Sequence, residues 1–282
     1  MIQFQPDPVD QMKAPRERIF NIPLVVLATL LVLVGIHAVR GFISAEIDAD
    51  ILANFSFVPG RFTYGLAPER IAAAYDSLQA TDPTRAEIAR FFLGDGKPLW
   101  WTPVTYAFLH ATWTHVGFNC LWLVAFGAAV ARRFGTARFL IFSVLAAIAG
   151  AAAHFLTHMD DLQPVIGASA VVSAAMAAAT RFVFQPGAPL GETLGFADWR
   201  SGDHAYRQPA LPLMAIFADR RALAFLVVWF LANFLFGIAP AMPGLGHASI
   251  AWEAHVGGFL FGLFAFRFFD PPAPVPPFLP EE

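Results

Sequence analysis

Four polar residues stand in apolar surroundings where each is costly: Ser169 in "VIGASAVVSAAMAA", His255 in "AHVGG", and His115 and Asn119 in "HATWTHVGFN". A serine hydroxyl is a weak nucleophile until an imidazole accepts its proton, and the tetrahedral oxyanion that follows needs donors aimed at it. Ser169 and His255 are the types that act as nucleophile and base. His115 and Asn119 have i, i+4 spacing, so on a helix they share a face and can direct donors to one point. The backbone N–H of Ser169 offers a third donor. The chemistry within reach of this set is acyl transfer.

These residues lie far apart in sequence, so the elements that carry them must bring them together. Hydrophobic residues make up 57% of the 282-residue chain and charged residues only 14%, with a mean hydropathy of +0.57. That composition is far from a soluble domain and reads as an integral membrane protein. The length accommodates one bundle of about six helices at roughly 20 residues per span. Apolar runs lie at 22–39, 115–130, 139–156, 165–184, 223–239 and 251–269. The expected fold is therefore all-α, a polytopic membrane helix bundle of about six transmembrane helices. Residues 1–21 form an N-terminal segment, 22–269 the membrane domain, and 270–282 a tail too rich in proline for helix. A long mixed-charge loop occupies about 40–100 and a second polar loop about 185–221. A cleaved signal peptide would have a shorter apolar core and an A-x-A site, so the first run reads as a retained span.

Basic residues set the expected orientation. Lys13, Arg16 and Arg18 precede the first span, Arg132, Arg133 and Arg138 separate the second and third, and Arg181, Arg200, Arg207, Arg220 and Arg221 separate the fourth and fifth. Those sides, and both termini, read as cytoplasmic. The links "THMDDLQP" and "PAMPGLGHAS" carry no Lys or Arg and read as external. The 40–100 loop is external too, its basic residues offset by many acids and its length weakening the rule. The second, fourth and sixth spans then run inward, and His115, Asn119, Ser169 and His255 share one level below the external face. A span starting near Val165 would put Ser169 roughly 6–8 Å in, at about 1.5 Å per residue.

Other classes of function fit poorly. A net charge of −3 and the absence of a basic run argue against nucleic acid. Cys120 is the one cysteine and offers neither disulfide nor zinc framework. H-E-x-x-H is absent, and no repeat suggests a transporter. His154 and His158 share a helical face, yet no acidic third ligand is evident nearby, so no metal is expected. Glu253, two positions before His255, points away from it on a helix, which favours a dyad over a triad. Ser173 and Asn233 read as structural, the latter as interhelical glue, and His110 as a brace between loop and helix.

With these motifs in view, the chain resembles the rhomboid intramembrane serine proteases from about Leu99 to Phe269. "HATWTHVGFN" (His110, His115, Asn119), "GASA" (Gly167, Ser169) and "AHVGG" (Ala254, His255, Gly258) occur in family order. The resemblance implies cleavage of single-span membrane proteins near the external end of the substrate helix, without cofactor, metal or nucleotide. It assigns Ser169 as nucleophile, His255 as general base, and His115, Asn119 and the Ser169 N–H as oxyanion hole, with Gly167, His110 and Gly258 in support. The fifth span, with Phe225, Trp229, Phe230 and Phe234, is similar to the family's lateral gate. The expected partners are transmembrane substrates and the bilayer. Two positions depart from the pattern: Ala170 replaces a glycine, and Trp101-Thr102 replaces a Trp-Arg pair. The alternative is a catalytically inactive rhomboid-like protein that binds membrane clients, although such a protein would normally lose the serine or histidine. Short connections and an Ala/Arg/Pro-rich composition suggest a bacterial inner membrane.

Overall fold

The computed structural model describes residues 22–188, 206–238 and 251–272. Lys13, Arg16, Arg18, Arg200, the "PAMPGLGHAS" link and the proline-rich tail from 273 lie outside them, as does part of the 185–221 loop. Among the described residues the regular structure is helical, with one isolated antiparallel bridge between Phe57 and Val165. Helix α1 spans Leu24–Arg40, and the loop beyond it folds into α2 (Ala45–Phe55), α3 (Pro59–Tyr64), α4 (Pro68–Thr81) and α5 (Pro83–Leu93). A short α6 (Thr102–Thr105) precedes α7 (Trp113–Trp122), which continues through a π turn at Leu123–Gly127 into α8 (Ala128–Phe134). Then come α9 (Thr136–Thr157), α10 (Ser169–Thr180), α11 (Leu213–Ile216), α12 (Arg220–Ile238) and α13 (Trp252–Phe269).

Local chemistry explains several boundaries. The Ser44 and Thr112 hydroxyls and the Asp82 carboxylate accept from the backbone N–H three residues on, at 3.4, 3.1 and 3.0 Å, capping α2, α7 and α5. Gly135, at φ +79°, turns the chain between α8 and α9. Each of the six apolar runs is helical over most of its length. Trp113–Phe134 and Thr136–Thr157 are long and apolar enough to cross a bilayer unaided.

Helix α10 is the centre of the packing. From Ala170 to Thr180 every residue except Val171 is buried, as expected of a helix apolar on all sides. It lies beside α9 and α13. The outward faces of α1, α7, α9 and α12 instead expose large apolar side chains, among them Leu31, Leu121, Ile141, Val228 and Leu231. Water would not tolerate a patch of that extent on a monomer; hydrocarbon would. The chain is an integral membrane protein.

Two sequence expectations change. The fourth run does not begin its helix at Val165: residues up to Ala168 are non-helical and α10 has 12 residues, about 18 Å at 1.5 Å per residue. Ser169 is its first residue, so helix rise does not set the serine's position; the preceding strand-like stretch does. The 40–100 loop, read only as polar, is a helical cap tied to the bundle. Arg40 joins Asp48 at 2.6 Å and donates to the His110 carbonyl at 2.8 Å, and Trp101 Nε1 donates to the Asn54 carbonyl at 2.7 Å.

Candidate active site

The stretch before Ser169 is held from three directions. Val165 exchanges backbone hydrogen bonds with Phe57, at 2.8 and 3.1 Å, and the Gly167 N–H donates to the Tyr106 carbonyl at 2.9 Å. The Ala168 N–H points to Nε2 of His110 at 3.4 Å. His110 is fully buried and braces loop to helix, as its position in the sequence suggests. Tyr106 is anchored in turn by its hydroxyl, which donates to the Ala147 carbonyl at 2.9 Å.

Gly167 has φ +123°, a conformation that side-chain-bearing residues rarely adopt. A Cβ there would lie 2.7 Å from His115 Nε2 and 3.8 Å from Asn119 Nδ2. The glycine therefore lets both α7 side chains reach the backbone just ahead of Ser169. Asn119 is buried, and its Nδ2 has no hydrogen-bond partner within the protein. The Ser169 N–H, first in its helix, has no intrahelical acceptor and lies at the positive end of the dipole.

Glycines also bring α13 against α10. A Cβ on Gly258 would collide with the Ala170 carbonyl, and one on Gly262 with the Ala174 carbonyl. Two contacts with the same offset mean that the helices run parallel at near-backbone distance, the close approach small residues permit. His255 lies three residues before Gly258, in the first turn of α13, and Ser169 one residue before Ala170, at the start of α10. Both Ser169 and His255 are half-buried. The structure thus brings His110 to Ala168, His115 and Asn119 to Gly167, and Gly258 to Ala170, on either side of Ser169 in the chain, while the hydrogen bond given for His255 is to Asn233.

Sequence reasoning missed three neighbours. Asn233, read as glue, has its Oδ1 2.6 Å from His255 Nδ1, while its Nδ2 donates to the Trp229 carbonyl at 2.8 Å. The amide's donor end is thereby committed, so its oxygen accepts and Nδ1 of His255 carries the proton. Nε2 is left with a lone pair. Gly150 is the second: a Cβ there would come within 2.5 Å of the Ala170 Cβ, so its bareness makes room for the methyl that departs from the family pattern. The third is Glu253, which faces His154 and His158. The acidic third partner that the sequence reading did not find for those histidines comes from another helix. Trp101 and Thr102 are integrated without an arginine, Thr102 being buried with its hydroxyl donating to the Leu99 carbonyl at 2.7 Å.

On α12, Trp229 stacks on Phe259 of α13 with centroids 4.2 Å apart, and Phe225 meets Phe126 at 5.2 Å. Phe234 is exposed on the outer face.

Comparison with known proteins agrees with this architecture. Residues 97–269 match the family model of the Rhomboid domain. Over 163 residues the chain is 29% identical to Rhomboid protease GlpG of Yersinia pestis (strain Pestoides F), a match covering 58% of this chain and 46% of that protein. Over 172 residues it is 28% identical to Rhomboid protease GlpG of Klebsiella pneumoniae subsp. pneumoniae, covering 60% of this chain and 48% of that protein. The match spans about half the length of these curated relatives. The Rhomboid domain extends from just before α6 to the end of α13 and contains every residue gathered at the serine except those of the loop cap, so the chain belongs to the rhomboid family.

Proposed function

We propose that the protein is an intramembrane serine endopeptidase that cleaves single-span membrane proteins near the external end of their helix with a Ser169–His255 dyad. What supports this reading is the close parallel packing of α13 on α10, Gly258 against Ala170 and Gly262 against Ala174, together with the approach of His115 and Asn119 to Gly167, two residues before Ser169. In the reaction, the Ser169 Oγ attacks the scissile carbonyl as His255 Nε2 takes its proton, and the oxyanion accepts from Asn119 Nδ2, His115 and the Ser169 N–H. The tetrahedral intermediate expels the amine, which receives the proton from His255, leaving an acyl-serine. Water, deprotonated by the same nitrogen, then releases the acid and restores the hydroxyl. The buried, unpaired Nδ2 of Asn119 suits a donor whose acceptor develops only in the transition state.

The same reading makes the protein multi-pass in a bacterial inner membrane, with six spans and cytoplasmic termini, and makes α12 the lateral gate. Separation of Trp229 and Phe230 from Phe259 would open a path from the lipid. The direct test is incubation of the purified protein with a single-span reporter whose helix is destabilised near its external end. Mass mapping of the products should place the cut there, with the rate unchanged by EDTA. No cut, or a cut confined to soluble segments, would contradict the reading.

Asn233 acts as a positioning residue: it holds the His255 tautomer that exposes Nε2. Asn233→Leu removes the neutral hydrogen bond to His255, of about 0.5–1.5 kcal/mol, so kcat should fall roughly three- to tenfold with KM unchanged. Asn233→Asp retains the acceptor and should recover much of that loss. A rise in KM alone would assign Asn233 to substrate binding.

Ala170 should be tolerated. No non-glycine among the described residues has positive φ, so alanine here fits its backbone, and Gly150 accommodates the methyl. Ala170→Gly should leave turnover within about threefold and lower stability by about 0.5–1 kcal/mol, read by reporter cleavage and thermal unfolding in detergent. A large gain in turnover would instead reveal strain at this position.

A further inference from the structure

The C-terminal end of α9 and the first turn of α13 bring His154, His158 and Glu253 together. One ligand atom from each lies within 4.8 Å of the others. The two imidazoles stack with 13° between their planes and 4.9 Å between centroids. Glu253 spans both: Oε2 lies 3.4 Å from His154 Nδ1 and Oε1 lies 3.8 Å from His158 Nε2.

The proton inventory of this cluster is telling. The Thr157 hydroxyl has one hydrogen, for which the carbonyls of Ala153 and His154 are acceptors at 3.1 and 3.0 Å. With its hydrogen so placed, the hydroxyl accepts from His158 Nδ1, 2.9 Å away, and in that tautomer Nδ1 carries the ring proton. Nε2 of a neutral His158 then presents a lone pair to a carboxylate, acceptor against acceptor. His154 is similar. Its side chain is only 6% exposed, and its Nε2, which faces Asp161 Oδ2 at 3.9 Å, has no hydrogen-bond partner within the protein. Lone pairs and carboxylate charge converging on one point are what a cation satisfies.

We propose that His154, His158 and Glu253 form a binding site for a divalent transition metal, with Zn²⁺ the best match. Zinc takes imidazole nitrogen and carboxylate oxygen at about 2.0–2.2 Å, which sets ligand atoms of a tetrahedral site roughly 3.3 Å apart; the distances between Glu253 and the histidines are already close to that. Mg²⁺ and Ca²⁺ prefer all-oxygen shells, and a soft ion such as Cu(I) prefers sulfur. Asp161 would accept from the far nitrogen of His154 and Thr157 from that of His158, the outer-shell arrangement that orients ligating imidazoles. Three protein ligands leave one position for water. The ion would tie α9 to α13 two residues before His255. It would clamp the helix that carries the base and take no part in the reaction.

The test uses the purified full-length protein in detergent, stripped with EDTA and then freed of chelator. Zn²⁺ is titrated against a chromophoric chelator, and thermal unfolding is followed with and without the metal. The expected result is one tight Zn²⁺ per chain and a raised Tm. His158→Ala and Glu253→Gln should each weaken binding at least tenfold and abolish the Tm rise, and Asp161→Asn should weaken it by about 10–100-fold. Because His158 is partly exposed, His158→Ala should unfold at the parent's temperature when both are metal-free, which separates lost ligation from misfolding. The proposal is overturned if Zn²⁺ binds the His158→Ala, Glu253→Gln double variant as tightly as the parent, which would place the ion elsewhere, or if Mg²⁺ raises the Tm equally, or if no binding competes with the chelator.

Discussion

Ser169→Ala and His255→Ala should each eliminate cleavage of a single-span reporter, lowering kcat by a factor on the order of 10⁴–10⁶, and the double variant should be hardly worse than either single one. In the proposed dyad nucleophile and base act as one unit, so removing either would remove the pathway and the losses would not add. Both positions are at the start of their helices and only half-buried, so truncation to alanine leaves the α10–α13 contact intact. That contact is made by Gly258 and Gly262 against the Ala170 and Ala174 carbonyls, which neither substitution touches. Circular dichroism and thermal unfolding of both variants should therefore match the parent. Substantial residual cleavage by Ser169→Ala would refute the dyad.

Asn119→Ala is the second large effect. An oxyanion donor acts chiefly in the transition state, and the loss of one lowers kcat by about 10²–10³ with little change in KM. The structure adds a stability expectation of the opposite sense to the usual one. Nδ2 of Asn119 is buried without a partner in the protein, so its removal gives up no internal hydrogen bond from that atom and relieves a desolvated donor. Asn119→Ala should unfold at or near the parent temperature while losing most of its turnover. His115→Ala should share the kinetic signature. If steady-state kinetics of either variant showed a raised KM at unchanged kcat, the residue would be a substrate contact.

Four polar side chains in apolar runs announce themselves in the sequence because hydrocarbon makes each one expensive, and i, i+4 spacing suffices to pair His115 with Asn119. Depth did not follow by the same logic. The apolar run begins at Val165, but the helix begins at Ser169, because Val165 pairs with Phe57, the Gly167 N–H goes to Tyr106 and the Ala168 N–H goes to His110. These partners lie 58 or more residues away in the chain, and local periodicity carries no trace of them. Gly167 was legible as a family position, whereas its reason, φ +123° against His115, is a property of the folded backbone. Asn233 and Glu253 show the same limit from another side. Each is an ordinary polar residue on an apolar helix until packing sets it against an imidazole on a different element. Gly150 likewise gains meaning only once Ala170 stands opposite it.

The central claim is that Ser169 is a nucleophile activated by His255, and it is tested most directly by reaction with a serine-directed fluorophosphonate. Purified parent protein should form one covalent adduct, mapped by mass spectrometry to the peptide containing Ser169, and Ser169→Ala should form none. His255→Ala should label far more slowly than the parent although its serine is intact. A parent that does not react while still retaining single-span clients in the membrane would contradict the account and identify a rhomboid-family protein that binds without cutting.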